Sequence, residues 1–192
     1  KARILSEALT LFSTQGYVAT SLADIARASD ISKAGLLHHY SAKDQLLAAV
    51  LDERDRRIVS QLPRPEDGAE AALGAWVDMV AHNQHHPDGV ALYTAMSAAV
   101  IDSKHQAHPW FRQHLFGAIS YLVEAFEHGK TTGEVREDAP SEQIARRLVA
   151  LSDGLQVQWL CSRADGGRTL NMHEVMAGVA VDMKERWLIR SE

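Results

Sequence analysis

The 192-residue chain has few of the residues that mark secreted or membrane proteins. Cys161 is its one cysteine, so no internal disulfide can form and a reducing compartment such as the cytoplasm is expected. No apolar run approaches the roughly 20 residues that a membrane span needs, and no signal peptide is visible. The chain opens inside a helical pattern at Lys1, so we expect a disordered leader upstream.

Positive charge is not in excess, since the net charge is −5. Taken over the whole chain, this balance disfavours nucleic-acid binding. The first 50 residues, however, carry five Lys and Arg against four Asp and Glu, so the acidity lies in the remainder. A small phosphate-binding face can coexist with an acidic body, because salt screens charges beyond about 10 Å.

Proline and aromatic residues are also sparse, and Ala, Leu and Val dominate the apolar residues, which favours helices over sheet. Helical periodicity predicts a first helix over residues 3–15, which Gly16 ends. Capping residues predict short helices over 22–28 and 33–39, joined by a tight turn at 29–31, and a long helix from 43 to about 58. Five more helices are predicted over 69–85, 90–101, 109–129, 141–163 and 172–189, with connections that include 63–68, 87–89, 133–140 and 165–167. The fold class is therefore all-α, with about nine helices.

Two short helices joined by a tight turn form a helix-turn-helix, whose second short helix enters the DNA major groove. Leu36 and Tyr40 are spaced to anchor this helix from below. The residues left to face outward or sideways are Lys33, Ala34, Gly35, Leu37, His38 and His39. Ser21, Ser32 and Lys43 lie near helix starts, where backbone N–H groups favour phosphate. We place a DNA-binding domain at residues 1–50 and a second helical domain at 51–192.

Three segments carry a resemblance to a known family: GYVATSLADIA at residues 16–26, ISKAGLLHHY at 31–40 and AKDQLL at 42–47. In order and spacing they resemble the DNA-binding domain of the TetR/AcrR family of transcriptional regulators. The resemblance implies a phosphate contact at Thr20 or Ser21, base reading by residues 33–35, backbone contacts at His38 and His39, and a phosphate-binding Lys43.

Two positions depart from the family pattern. Leu37 replaces a tyrosine that commonly contacts phosphate, and Asp30 replaces the usual turn glycine, although Asp tolerates left-handed backbone better than most residues. Because Ala34 and Gly35 have no side chain that can hydrogen-bond to a base, we expect apolar contact and DNA shape to supply much of the specificity.

The family resemblance further implies a homodimeric repressor, without catalytic residues or cofactor, that a small-molecule effector releases from a palindromic operator in the nucleoid. The last two helices are apolar beyond one stripe and so need a second burial surface, which predicts a dimer through them. The small residues expected to allow close approach there are Ala145, Ala177, Gly178 and Ala180. An effector pocket with apolar walls and a few polar groups is expected among the middle helices. Its candidate lining residues are Trp76, Met79, His82, Asn83, Tyr93, Met96, Trp110, Phe111, Phe116, Tyr121, Asp153, Gln156 and Trp159.

Other functions compete with this interpretation. Asp78, His82, His85 and His86 have helical spacing that can bind metal, and a metal-dependent hydrolase could be built on them. Solvated or helix-capping histidines are the interpretation we favour there, and a buried, inert thiol is favoured for Cys161. A further alternative is a helical dimer that has lost DNA binding and acts through protein partners.

Overall fold

The computed structural model describes residues 1–164 and 169–189, and within them the chain forms α-helices and no strand. This confirms the predicted all-α class. None of the described helices has the length and apolarity to cross a membrane. A short 3₁₀-helix lies at Pro65–Asp67. The α-helices are α1 (Ala2–Gln15), α2 (Leu22–Ala28), α3 (Lys33–His39), α4 (Lys43–Val59), α5 (Ala69–Gln84), α6 (Pro87–Ala99), α7 (His108–Thr132), α8 (Ser141–Ala164) and α9 (Met172–Trp187).

The helices group into two compact units, of which the first comprises Lys1–Ser60 and His86–Arg112. The inner faces of α1 to α4 meet in one apolar core, which α6 and the start of α7 complete. Burial of such side chains stabilises the unit by about 1.5–3 kcal/mol each. The core includes Ile4, Ala8, Phe12, Ile25, Leu36, Leu46, Leu47, Leu51, Leu92 and Phe111. The predicted boundary near Val50 lies inside the continuous helix α4 and stays a prediction.

The second unit comprises Gln61–His85 and Gln113–Glu192, in which α5 packs against α9. A buried polar chain crosses its core. The Trp76 indole N–H donates to Ser152 Oγ at 2.9 Å, and the Ser152 hydroxyl donates to the Leu148 carbonyl at 2.9 Å. Both polar side chains are thus hydrogen-bonded, as burial requires.

The connection between α7 and α8 contacts both the start of α5 and the chain just after α9, within the second unit. The Glu134 carboxylate accepts the backbone N–H groups of Ala69 at 2.9 Å and Glu70 at 2.8 Å, in the first turn of α5. On the other side, the Ile189 N–H donates to the Glu134 carbonyl at 2.8 Å, just after α9. Gly68 (φ +99°) allows the close approach, because a Cβ there would lie 2.6 Å from Glu134 Oε2.

Several predicted helix ends shift in the structure. The segment 87–89 is not a connection, because Pro87 is the first residue of α6 and proline suits that position. Helix α9 ends at Trp187 instead of residue 189, since Leu188 forms an antiparallel bridge with Val135. The predicted connection at 165–167 lies outside the described residues.

Candidate nucleic-acid interface and effector region

Both short helices of the first unit begin with a serine cap, as the sequence predicts. Ser32 Oγ accepts the Gly35 N–H at 3.0 Å. Ser21 forms a capping box with Asp24: its Oγ accepts the Asp24 N–H at 3.2 Å, and Asp24 Oδ2 accepts the Ser21 N–H at 3.1 Å and the Ser21 hydroxyl at 2.6 Å. The two bonds that Ser21 donates to Asp24 Oδ2, and then Arg27, lower the pKa of the Asp24 carboxyl. The caps fix where each helix starts.

The turn between α2 and α3 is held by backbone hydrogen bonds around a left-handed Asp30, whose φ is +58°. The Ile31 N–H donates to the Ala26 carbonyl at 3.0 Å, and the Asp30 N–H donates to the Arg27 carbonyl at 3.1 Å. This pair of bonds is the Schellman motif, in which glycine usually takes the left-handed position. The prediction that Asp30 preserves the turn is confirmed.

Helix α3 rests on Leu36, which is fully buried, and on Tyr40, which is 8% exposed just after the helix. The predicted anchors are therefore confirmed. Above them Gly35 is partly exposed, and Leu37 is 38% exposed. The remaining outward residues are Lys33, Ala34, His38 and His39, all exposed. The face offers one lysine and two imidazoles beside apolar surface.

Thr20 does not belong to this exposed surface. It is 1% exposed, and its hydroxyl lies 2.9 Å from the Gly16 carbonyl oxygen and 3.1 Å from that of Leu11. Its side chain therefore faces α1. Of the two alternatives that the family pattern left for a phosphate contact, only Ser21 is exposed.

Lys43, in the first turn of α4, also faces the protein. Its ammonium donates to the carbonyls of Tyr17 at 2.9 Å, Val18 at 3.3 Å and Thr20 at 3.0 Å. It lies 4.4 Å from the centroid of the Tyr17 ring, and the Tyr17 hydroxyl donates to Asp44. Burial, and then the bond and charge of Asp44, raise the pKa of Tyr17.

The predicted effector residues fall in both compact units. In the first unit, the Tyr93 and Phe111 rings stack at 5.0 Å, Met96 is buried, and Trp110 donates its indole N–H to Asp52 Oδ1 at 2.7 Å. In the second unit, the buried candidates are Trp76, Asn83, Gln156 and Trp159, whereas Met79, Tyr121 and Asp153 are partly exposed, and His82 and Phe116 are exposed.

Two of these candidates carry buried polar atoms that have no hydrogen-bond partner: Tyr121 Oη and Gln156 Oε1. Burial, and then the charge of Asp67, raise the pKa of Tyr121 to about 12. Because an unpaired buried polar atom costs about 1–3 kcal/mol, such atoms are places where a ligand or water can bind favourably.

A surface groove along α9 lies apart from these residues. We expected the last two helices, with Gly178, to form a dimer surface and did not predict a groove, since an open cleft has no signature in periodicity. Its lining residues are Thr169, Leu170, Asn171, Glu174, Val175, Gly178, Val179 and Asp182.

The outer faces of α8 and α9 carry exposed apolar side chains. Val157 is 48% exposed and Val181 is 52% exposed. Gly178 is exposed as well, with nothing within 4 Å of the place of its missing Cβ. Two of the small residues predicted to allow close approach, Ala145 and Ala180, are instead buried inside the protomer, so they do not reach that surface.

The structure does not support the alternative sites that the sequence suggested at the histidine-rich segment and at Cys161. Within residues 1–164 and 169–189, no three His, Cys, Asp or Glu side chains are grouped to hold a metal ion. Asp78, His82, His85 and His86 are all exposed. The expectation of a buried Cys161 is wrong, because its position on α8 leaves the thiol exposed.

Comparison with known proteins agrees with this geometry. Residues 4–50 match the family model described as "Bacterial regulatory proteins, tetR family". A 74-residue stretch is 39% identical to the HTH-type transcriptional repressor Rv3405c of Mycobacterium tuberculosis, which covers 38% of this chain and 39% of that protein. The chain therefore matches about two fifths of the length of this relative.

Solved structures extend the similarity to the whole fold. A TetR transcription regulator from Haloarcula marismortui superposes with a TM-score of 0.81 at 22% identity, over 98% of this chain and 97% of that one. A putative transcriptional regulator from Saccharomonospora viridis in complex with choline superposes with a TM-score of 0.73 at 21% identity, over 98% and 97%. At these identities the likeness concerns the fold.

Proposed function

We propose that this chain, which belongs to the TetR family of bacterial regulatory proteins through its residues 4–50, is a homodimeric repressor of transcription. It binds a palindromic operator through α3 and leaves the operator when a small molecule binds its helical domain. The observation that carries the proposal is the exposed polar and apolar face of α3, held on Leu36 and Tyr40 beside two serine-capped helix starts.

We assign a role on DNA to each residue from the exposure of its side chain. Lys33, Ala34 and Gly35, at the N-terminal end of α3, read base edges in the major groove. Leu37 packs against base or sugar carbons, and the imidazoles of His38 and His39 reach the DNA backbone. Ser32 contacts phosphate at the N terminus of α3, where N–H groups and the helix dipole favour an anion. Ser21, exposed at the start of α2, contacts phosphate when its hydroxyl exchanges Asp24 Oδ2 for a phosphate oxygen.

Dimerisation sets the spacing of the two reading helices. The outer faces of α8 and α9, with Val157, Val175 and Val181, are the surface that a second copy covers. A twofold dimer then presents two copies of α3 about 34 Å apart, in successive major grooves. A palindromic operator is the matching DNA.

Effector binding is supported by the unpaired Tyr121 Oη and Gln156 Oε1, which a hydroxyl or amine of a small molecule would satisfy. Within the first unit, α4 is tied to the start of α7 by the Trp110–Asp52 hydrogen bond and to α6 by Arg54, which lies 5.0 Å from the Tyr93 ring centroid. A ligand that favours a shifted α6 or α7 therefore moves α4. DNA affinity then falls by at most the factor by which the ligand prefers the shifted conformation.

Fluorescence anisotropy on duplexes from the upstream region of the gene, measured across salt, tests the proposal. The dimer should prefer one palindromic duplex over random DNA. Lys33→Met should weaken binding, lower the salt slope by about one if the ammonium neutralises a phosphate, and change base preference if it reads a base. Lys104→Met, at an exposed position between α6 and α7, is the matched control and should change neither. A folded dimer that binds no duplex better than random DNA at low salt would overturn the proposal in favour of a protein partner.

A further inference from the structure

We propose that Lys43 is a positioning residue for DNA binding: its ammonium group holds the loop between α1 and α2 in the conformation that places Ser21 at the protein surface, and does not itself bind phosphate. The inference deepens the proposed function and rests on it for the effect on DNA. It replaces the phosphate contact that the family resemblance assigns to this lysine.

The hydrogen-bonding capacity of Lys43 is used inside the protein. An ammonium has three N–H donors and no acceptor. Three carbonyl oxygens receive them, from Tyr17 at 2.9 Å, Val18 at 3.3 Å and Thr20 at 3.0 Å. The charge also lies 4.4 Å from the Tyr17 ring centroid, where the ring face attracts a cation. A phosphate contact would require at least one of these bonds to break.

Tyr17 connects this lysine to its surroundings. Its hydroxyl donates to Asp44, so consecutive residues at the start of α4 both hold the same tyrosine. Its ring lies 5.3 Å from that of Phe12 in α1 and 6.2 Å from that of His105. Lys43 is thus part of a packed contact among α1, α4 and residues 100–107, and it is only partly exposed.

Lys43 affects DNA binding through the loop between α1 and α2. Residue 20 is the last one that Lys43 holds, and residue 21 caps α2. The loop carbonyls converge on one point charge, which neutralises the repulsion among three inward-pointing oxygens. Without the ammonium, these oxygens turn toward water and carry the Ser21 cap with them.

Amide hydrogen exchange on the full-length protein, with DNA binding across salt, tests the inference. The amides to follow are Thr20, bonded to the Gly16 carbonyl at 3.3 Å, and Ser21, bonded to Asp24 at 3.1 Å. Lys43→Met should raise their exchange about tenfold or more, because hydrogen bonds to a charge are lost. Lys33→Met is the matched control and should leave both amides unchanged.

DNA binding separates positioning from phosphate contact. Lys43→Met should weaken binding while keeping the wild-type salt slope, because no phosphate contact is lost. Lys43→Arg keeps the charge and a donor for phosphate, but its planar guanidinium does not direct three donors at converging carbonyls. In Lys43→Arg, the amides of Thr20 and Ser21 should therefore still exchange faster than in the wild-type protein.

A measurement on the unaltered protein covers the case in which the variants fail to fold. Because its protons are hydrogen-bonded, the Lys43 ammonium should give a ¹⁵N–¹H signal without DNA, whereas that of exposed Lys33 is lost to solvent exchange. Unchanged exchange at Thr20 and Ser21 with a salt slope lowered by about one, or a Lys43 signal that needs DNA, would overturn the inference. Wild-type protein that binds no DNA would refute the proposed function alone, since the exchange and ammonium results still decide the role of Lys43.

Discussion

Replacing Glu134 should destabilise the second compact unit without touching any proposed DNA or effector residue. Its carboxylate accepts the first two N–H groups of α5, at 2.9 Å from Ala69 and 2.8 Å from Glu70, across more than 60 positions of the chain. These N–H groups have no partner within the helix, since the first turn of a helix leaves its donors unpaired. Glu134 is therefore a cap supplied from another part of the chain.

The magnitude follows from the two bonds. Loss of an ordinary N-cap bond costs about 1 kcal/mol, and an anion at a helix N terminus contributes about 0.3–1 kcal/mol. Glu134 is partly exposed, so water replaces some of what is lost. We expect Glu134→Ala to lower the free energy of unfolding by about 2 kcal/mol and Glu134→Gln, which keeps one acceptor, by about 1 kcal/mol. In a protein of this size, 2 kcal/mol corresponds to a Tm lower by about 4–8 °C.

Urea unfolding monitored by tryptophan fluorescence and circular dichroism measures these values. The protomer concentration is held constant, because association would contribute to the apparent stability. Glu137→Ala is the control: Glu137 lies in the same connection and is exposed. If Glu134→Ala unfolds within about 0.5 kcal/mol of that control, the capping argument is refuted, because surface changes without a specific role fall within this range.

Three further changes test local features. Asp30→Gly should keep or raise stability in urea, whereas Asp30→Val should lower it by about 1–2 kcal/mol, because φ is +58° there. A loss with glycine would contradict this. The pKa of Asp24 is lowered chiefly by Ser21, so its contribution is present above the ordinary pKa of 3.8 and lost as the pH falls through the lower folded value. Asp24→Asn should flatten the acid side of a plot of urea midpoint against pH, and an unchanged profile would contradict the assignment. Trp76→Phe removes the buried donor to Ser152 and should cost about 1–2 kcal/mol in the same assay, and a neutral effect would mean that this bond contributes little.

The first unit could be predicted closely because its signals are local. Ser21 and Ser32 begin helices through bonds to residues three positions away, and Gly16 ends α1 with a φ of +85°, so the bounds of α2 and α3 agree with the prediction. Asp30 is another local case, since its left-handed backbone follows from the turn that it must close. The direction of Lys43 was missed because its acceptors lie 23 to 26 positions earlier in the chain.

The second unit was predicted only in outline. Periodicity located its helices, but the Glu134 cap and the Trp76–Ser152 bond join residues 64 to 76 positions apart. Such pairs depend on how helices pack, which one sequence does not specify. The exposed Cys161 shows the same limit, because an apolar helix does not reveal which of its sides faces solvent.

The composition of α3 links the proposed positioning role of Lys43 to specificity. Ala34, Gly35 and Leu37 offer no side-chain hydrogen-bond donors to base edges, so we expect much of the proposed discrimination among operators to come from apolar contact and DNA shape. Shape is read through distances between fixed phosphate contacts, which we propose at the starts of α2 and α3. A mobile α2 cap would tolerate many groove widths and lose that discrimination. A lysine that fixes the loop before Ser21 therefore contributes more to specificity than one additional phosphate contact, which would strengthen binding to every sequence alike.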